Sequence, residues 1–158
     1  MTRGATAGVA LRRAGPDDWA AVATLLDDAA LPLAGARERL GDFIVVEGAG
    51  GALLGCAALE RYPAAIGGAL ASGLLRSVAV ALPARGLGLG ARLVERLLVT
   101  AREEGLANVT LLTTTAADYF PRFGFCVIAR DETPPPVRDS LEFREACPDT
   151  ATVMTLAL

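Results

Sequence analysis

The period of the apolar positions changes several times along this chain, and each change marks an element. Residues 9–13 (Val9, Ala10 and Leu11 before Arg12 and Arg13) read as a short strand. Gly15-Pro16-Asp17-Asp18 carries helix-start chemistry, a proline near the first turn and acids to meet the helix dipole. Trp19, Val22, Ala23 and Leu26 recur at helical spacing, which predicts an amphipathic helix over 17–29. Leu31-Pro32-Leu33 breaks it, and 36–40 is a candidate second short helix. Phe43-Ile44-Val45-Val46-Glu47 is a β-branched strand. Gly48 to Gly51 form a turn, and 52–60 returns as the second strand of an antiparallel hairpin. Pro63 and several glycines make 62–72 a loop, and 74–80 is a strand with Arg76 at its centre.

A turn over 81–90 opens the longest helix. Leu89, Leu93, Leu97 and Ala101 lie on one stripe with Val94 and Leu98, flanked by Arg92, Glu95, Arg96 and the charges of 102–104. Gly105 stands where a helix C-terminal glycine belongs. A strand follows over 109–113, then a short helix over 116–123 interrupted at Pro121. Next come a Gly124-Phe125 turn, a strand over 126–129, a rigid Pro134-Pro135-Pro136 stretch, a helical segment over 140–146 and a closing strand over 151–156. The order β-α-α-β-β-β-α-β-α-β-(α)-β predicts an α/β (α+β) fold, a mixed sheet flanked by helices. With no internal repeat and no boundary, the reading is a single domain over 1–158 with a flexible start over 1–8.

Composition narrows the function classes. The 158 residues are 53% apolar and 21% charged, enough to bury one core. No apolar run reaches the ~20 residues of a membrane span, and the first residues lead into no signal-type core. The expectation is a cytoplasmic protein with no membrane partner. There is no His, which excludes Ser-His-Asp and Cys-His nucleophiles and His-ligated metals. All 15 basic residues are Arg, so a Walker-type lysine and a Schiff-base lysine are excluded as well. A net charge of −3 and a pI of about 5.0 speak against a nucleic-acid partner. Cys56, Cys126 and Cys147 are far apart and odd in number. They give no metal or disulfide spacing and read as small buried hydrophobes.

The chemistry concentrates at Arg85-Gly86-Leu87-Gly88-Leu89-Gly90, after a strand and before the long helix. Glycines let the backbone approach a ligand, and the free N–H groups of the first helical turn form an anion site suited to a pyrophosphate. Arg85 adds a charge-assisted contact. The alternative is a glycine turn that only packs the helix close to its strand. Gly86, Gly88 and Ala91 also satisfy the dinucleotide fingerprint. That fingerprint needs an acid after the next strand, and Leu112-Thr113-Thr114-Thr115 supplies none.

Arg85-x-x-Gly88-x-Gly90 after Val78-Ala79-Val80 resembles the acetyl-CoA motif of the GCN5-related N-acetyltransferases. Phe120-Pro121-Arg122-Phe123-Gly124-Phe125 is similar to the late "GF" signature of that family, and the likeness covers nearly the whole chain. Leu74 to Val80, Leu111 to Thr114, Arg138-x-Ser140 and Cys147-Pro148 are similar to the acetyltransferase domain of N-acetylglutamate synthases. Ser140-x-Glu142-Phe143-x-x-x-Cys147-Pro148 through Met154 looks still more like the compact arsenic-resistance N-acetyltransferases.

The resemblance implies a mostly antiparallel twisted sheet of about seven strands that splays after Val80. It implies acetyl-CoA as co-substrate, no metal, a small-molecule amine acceptor and a homodimer. The pantetheine arm would pair with backbone at Val78 and Val80, and the pyrophosphate would sit on Gly86, Gly88, Gly90 and Ala91 beside Arg85. Thr113 and Phe120 would line the other wall. The backbone N–H of Val80 would hold the oxyanion. Glu60, at a strand end, is the candidate base, against a solvated strand-end charge or a water chain. Many relatives carry a Tyr four residues before the Gly of "GF", where this chain has Phe120. Tyr119 is then either the thiolate acid or a packing or surface residue. Arg76, Arg138 and Ser140 would take the acceptor's carboxylate, phosphinate or arsinate, with a cross-strand ion pair as the alternative for Arg76. The acceptor is expected to be a small amino acid or a toxic arsinate- or phosphinate-type analogue. Two alternatives are N-acetylglutamate synthesis and a non-catalytic acyl-CoA-binding module.

Overall fold

A computed structural model describes residues 8–64, 70–140, 142–146 and 149–158. The expected flexible start, apart from Gly8, lies outside the described residues, as do part of the 62–72 loop and the Cys147-Pro148 pair. Seven strands form one sheet: β1 (Ala10–Arg13), β2 (Phe43–Glu47), β3 (Leu53–Tyr62), β4 (Ser72–Val80), β5 (Asn108–Thr113), β6 (Cys126–Ile128) and β7 (Thr152–Ala157). Their order is β1-β2-β3-β4-β5-β7-β6. The pairs β1/β2, β2/β3, β5/β7 and β6/β7 run antiparallel, and β4/β5 runs parallel. The helices are α1 (Trp19–Asp28), α2 (Leu89–Glu103) and the single turn α3 (Pro135–Arg138). The mixed sheet flanked by helices is the one the element order predicts.

The chain divides into two compact units, Met1–Ala58 with Ser77–Arg96, and Leu59–Arg76 with Leu97–Leu158. In the first, α1 buries Val22, Leu25 and Leu26 with Phe43, Val45, Cys56, Ala58 and Ala79, and Trp19 packs against that cluster. Asp18 fixes the entry to α1: its carboxylate accepts from the Gly15 N–H (2.7 Å) and from both Nη atoms of Arg12 (2.7 and 3.0 Å). The Arg12 bond, then the Gly15 bond, hold its pKa down at about 2. The hairpin closes as expected, with Gly48 N–H donating to the Ala52 carbonyl at 2.9 Å and Gly51 at φ +86°.

In the second unit, the parallel β4/β5 register runs over Ser72–Leu74 and Asn108–Thr110. β5 pairs with β7 along its whole length, from Asn108 to Thr113. Among its described residues, Leu59, Leu74, Leu75, Leu111, Phe125 and Met154 are fully buried, and Phe120 is buried as well.

Four expectations need correction. Residues 36–40 form no helix; 34–39 are turns, with Gly35 at φ +75°, and a 3-10 turn covers Leu40–Asp42. The helix expected over 116–123 is reduced to a 3-10 turn, Phe120–Phe123, closed by Gly124 at φ +101°. Pro121 sits inside that turn and supplies no N–H. The segment over 140–146 is a single π-type turn, Glu142–Ala146. Cys126 is exposed rather than buried, because β6 is the outermost strand of the sheet.

α1 ends on Ala30 at φ +55°, with the Leu31 N–H returning to the Leu26 carbonyl at 2.9 Å. A Cβ is strained in this left-handed conformation. Ala30→Gly should therefore raise unfolding free energy by about 0.5–1 kcal/mol, measured by denaturant melts.

Candidate functional site

The glycine loop is built by conformation. The end of β4 passes through a 3-10 turn, Leu82–Ala84, before reaching Arg85. Gly86 and Gly88 then take φ +82° and +79°, and a Cβ added at either would meet nothing within 4 Å. The glycines are thus required by backbone conformation and leave open space above the loop. The first α2 ladder bond runs from the Arg92 N–H to the Gly88 carbonyl at 3.1 Å. The helix ladder therefore leaves the N–H groups of Leu89, Gly90 and Ala91 unused. Arg85 is exposed and its Nε donates to the Val80 carbonyl at 3.0 Å, tying the loop to the end of β4. Val78 and Val80 are half-buried. Gly55 of β3 gives this strand end room: a Cβ there would lie 3.0 Å from the Ala79 carbonyl oxygen.

A second polar centre sits wholly inside the other unit. The Arg76 side chain has no exposure; its Nη1 donates to Glu60 Oε2 at 3.2 Å, and its Nε lies 3.6 Å from Glu142 Oε1. The Tyr62 hydroxyl donates to Glu60 Oε1. Glu60 is therefore no solvated strand-end charge: it is 3% exposed, with a hydrogen bond on each oxygen. Arg76 forms the cross-strand ion pair weighed for it, with Glu142 as a further partner. Glu142 is 4% exposed and its Oε2 has no hydrogen-bond partner. Burial pushes its carboxyl up to about 7; Arg76 pulls it down and Glu60 pushes it up.

The other expected residues are placed as follows. Thr113 Oγ1 accepts from the Ala116 N–H at 2.9 Å and so fixes the turn after β5. Phe120 is buried, its ring 6.0 Å from that of Phe125. The Tyr119 ring packs edge-on to Phe120 and Phe123, with the Arg122 guanidinium 4.2 Å from its centroid. Arg138 is exposed. Ser140 is buried, and its Oγ accepts from the Phe143 N–H at 3.1 Å, starting the turn that carries Glu142. Glu142 and Tyr62 were not singled out as site residues by sequence. The available signal for Glu142 was an acid between the apolar Leu141 and Phe143. Among the described residues no cluster of His, Cys, Asp or Glu could hold a metal ion. None of the described helices is long and apolar enough to cross a membrane.

Residues 39–127, more than half of the chain, match the acetyltransferase (GNAT) domain model. The chain belongs to the GNAT acetyltransferases. No curated protein matches it. Among solved structures it is similar to N-acetylglutamate synthase from Neisseria gonorrhoeae complexed with coenzyme A and N-acetyl-glutamate. That match is 25% identical with a TM-score of 0.78, over 96% of this chain and 35% of the other. It is also similar to Rv2747 from Mycobacterium tuberculosis in complex with CoA and NLQ. Here identity is 27% and the TM-score 0.71, over 94% of this chain and 99% of that one. A Trypanosoma brucei acetyltransferase matches at 27% identity and a TM-score of 0.66, over 77% of this GNAT chain and 95% of its own. The chain spans about a third of the length of the N-acetylglutamate synthase it resembles.

Two measurements test these environments. Burial pushes the Cys56 thiol up to about 12, so a thiol reagent applied to the folded protein should label Cys126 and spare Cys56 in a peptide map. Glu142, with its folded-state pKa raised from 4.5 to about 7, contributes stability that is complete below its unfolded value. That contribution is lost as pH rises through the folded value. Relative to Glu142→Gln, the unliganded wild type should lose stability between about pH 5 and about pH 8, read from denaturant melts at each pH.

Proposed function

We propose that this GNAT domain is an acetyl-CoA-dependent N-acetyltransferase. Its acceptor is the amino group of a small amino acid or of an arsinate- or phosphinate-bearing analogue. The carrying observation is the loop after β4, where Gly86 and Gly88 hold left-handed backbone with open space in place of a Cβ. The unused N–H groups at the start of α2 and the exposed Arg85 suit a pyrophosphate. The residues present fit coenzyme A. Gly86, Gly88, Gly90 and Ala91 would hold the pyrophosphate with Arg85, and the backbone of Val78 and Val80 would pair with the pantetheine arm. The bound co-substrate supplies an activated acetyl thioester.

In this reading the Val80 N–H stabilises the oxyanion. A thiolate leaves without an obligatory acid, so the reading does not depend on Tyr119. Arg138, exposed, is the proposed contact for the acceptor's anionic group. The arsenic-type acceptor rests on the Ser140-x-Glu142-Phe143 pattern. N-acetylglutamate synthesis is the second reading, favoured by the likeness to the Neisseria gonorrhoeae enzyme at a TM-score of 0.78.

Incubation with acetyl-CoA and a panel of glutamate, aspartate, glutamine and arsinate- and phosphinate-bearing analogues, followed by mass spectrometry, should give acetylated analogues. Product from glutamate alone would replace this reading with the second one. Gly88→Trp should weaken CoA binding on the order of 100-fold or more, about 2.7 kcal/mol, with the sheet's circular dichroism retained. Unchanged CoA affinity in that variant would remove the loop from the co-substrate site.

A further inference from the structure

The Glu142–Ala146 turn depends on its surroundings for its position. A single isolated turn is far shorter than a helix that is stable in water. Its first N–H groups close on Ser140: Phe143 donates to the Ser140 Oγ at 3.1 Å and Arg144 to the Ser140 carbonyl at 3.0 Å. Ser140 and Val137 of α3 are buried, which fixes the point from which the turn leaves. Phe143 and Glu142 then dock it. Phe143 lies against the Arg130 guanidinium, 4.4 Å from the ring centroid. Glu142 is buried beside Arg76, which also pairs with Glu60.

Glu142 docks under a charge imbalance, since two buried carboxylates share one guanidinium. The better bonds belong to Glu60, whose oxygens accept from Arg76 Nη1 at 3.2 Å and from the Tyr62 hydroxyl. Glu142 has the remainder. Its Oε1 lies 3.6 Å from Arg76 Nε, outside hydrogen-bond range, and its Oε2 is buried without a partner. An uncompensated buried carboxylate is costly, and a proton on Glu142 removes the excess charge. Glu60, Tyr62, Arg76, Ser140 and Glu142 all lie in one compact unit.

We propose that a proton on Glu142 latches the Glu142–Ala146 turn onto Glu60 and Arg76, and that losing this proton releases the turn while the rest of its unit stays folded. On release the carboxylate gains water at both oxygens, and Arg76 keeps Glu60. The direction follows from linkage. Burial raises the docked carboxyl from 4.5 to about 7, with Arg76 lowering it and Glu60 raising it. Docking is then complete below the ordinary carboxyl range and weakens as pH rises toward the docked value. The charged groups around Glu142 are Arg76 of β4 and Glu60 of β3, with Tyr62 behind Glu60. Arg138 on α3 is exposed, and Arg130 faces Phe143. The stability lost as Glu142 ionises is thus taken first from one turn rather than from the whole molecule. The latch is independent of the transferase reading.

Amide hydrogen exchange tests this, followed residue by residue and corrected for the chemical effect of pH on exchange. The probes are the Phe143 and Arg144 amides of the turn and the amides of the β5/β7 ladder. In the wild type, protection at the turn should fall on the order of 100-fold between about pH 5 and about pH 8. In Glu142→Gln, whose neutral amide stands for the protonated acid, it should stay level. Turn exchange should be unmoved by low urea, the mark of a local opening, while ladder exchange responds.

Wild-type turn amides that keep their protection across that range would overturn the latch. So would turn and ladder amides with one shared protection and one urea response, because the turn would then open only with the whole fold. Should Glu142→Gln fail to fold, the carboxyl carbon resonance of Glu142 in the wild type decides. A midpoint of about 7 supports the latch, and one at 4.5 overturns it.

Discussion

A guanidinium with no solvent exposure constrains everything near it. Removing one ion from water costs several kcal/mol, and excellent pairing is needed to recover it. Arg76 sits in the middle of β4 and could not be there alone. β3 supplies Glu60 from across the strand pair, and the turn after α3 supplies Glu142 from far along the chain. That requirement explains details with no other evident reason. Ser140 is buried, with its hydroxyl starting the turn that carries Glu142, and Tyr62, two residues on in β3, reaches back to the other oxygen of Glu60. Loss of Arg76 would leave the buried carboxylates without a counter-charge, a penalty of roughly 3–5 kcal/mol. The pairing thus specifies where the C-terminal segment docks.

The other unit solves an opposite problem, with backbone in place of charge. The end of β4 and the start of α2 offer peptide groups, and side chains are kept out of the way. Two glycines hold left-handed conformations over open space, a third in β3 clears the Ala79 carbonyl, and Arg85 ties its own loop to Val80. Recognition by peptide groups tolerates wide variation in side chains. This fits a family visible here at identities of 25–27% with TM-scores of 0.66–0.78.

Much of this was legible in sequence where one periodicity ruled a segment. The stripe of Leu89, Leu93, Val94, Leu97, Leu98 and Ala101 became the buried face of α2. The β2–β3 hairpin followed from its β-branched run and glycine turn. Local pattern failed where backbone conformation or tertiary pairing decided. Gly35 at φ +75° turned 34–39 away from a helix, and Pro121 with the surrounding rings compressed 116–123 into one tight turn. The loop glycines could be named because their spacing is local. The burial of Glu60 and Glu142 could not, since acids default to solvent and only a partner distant in sequence reverses that. Cys126 went the other way: its exposure is a property of sheet order, which no single strand encodes.

The absence of histidine acquires a meaning once Glu142 is seen. In most proteins, proton exchange near neutrality is a blend of imidazoles with overlapping curves. This chain has none. Against so quiet a background, a buried carboxyl titrating at about 7 stands out by subtraction. Isotope labelling confined to glutamate would let its protonation be followed in the folded protein. The protein thus carries its own acid–base indicator, placed beside the arginine on which its second unit is organised.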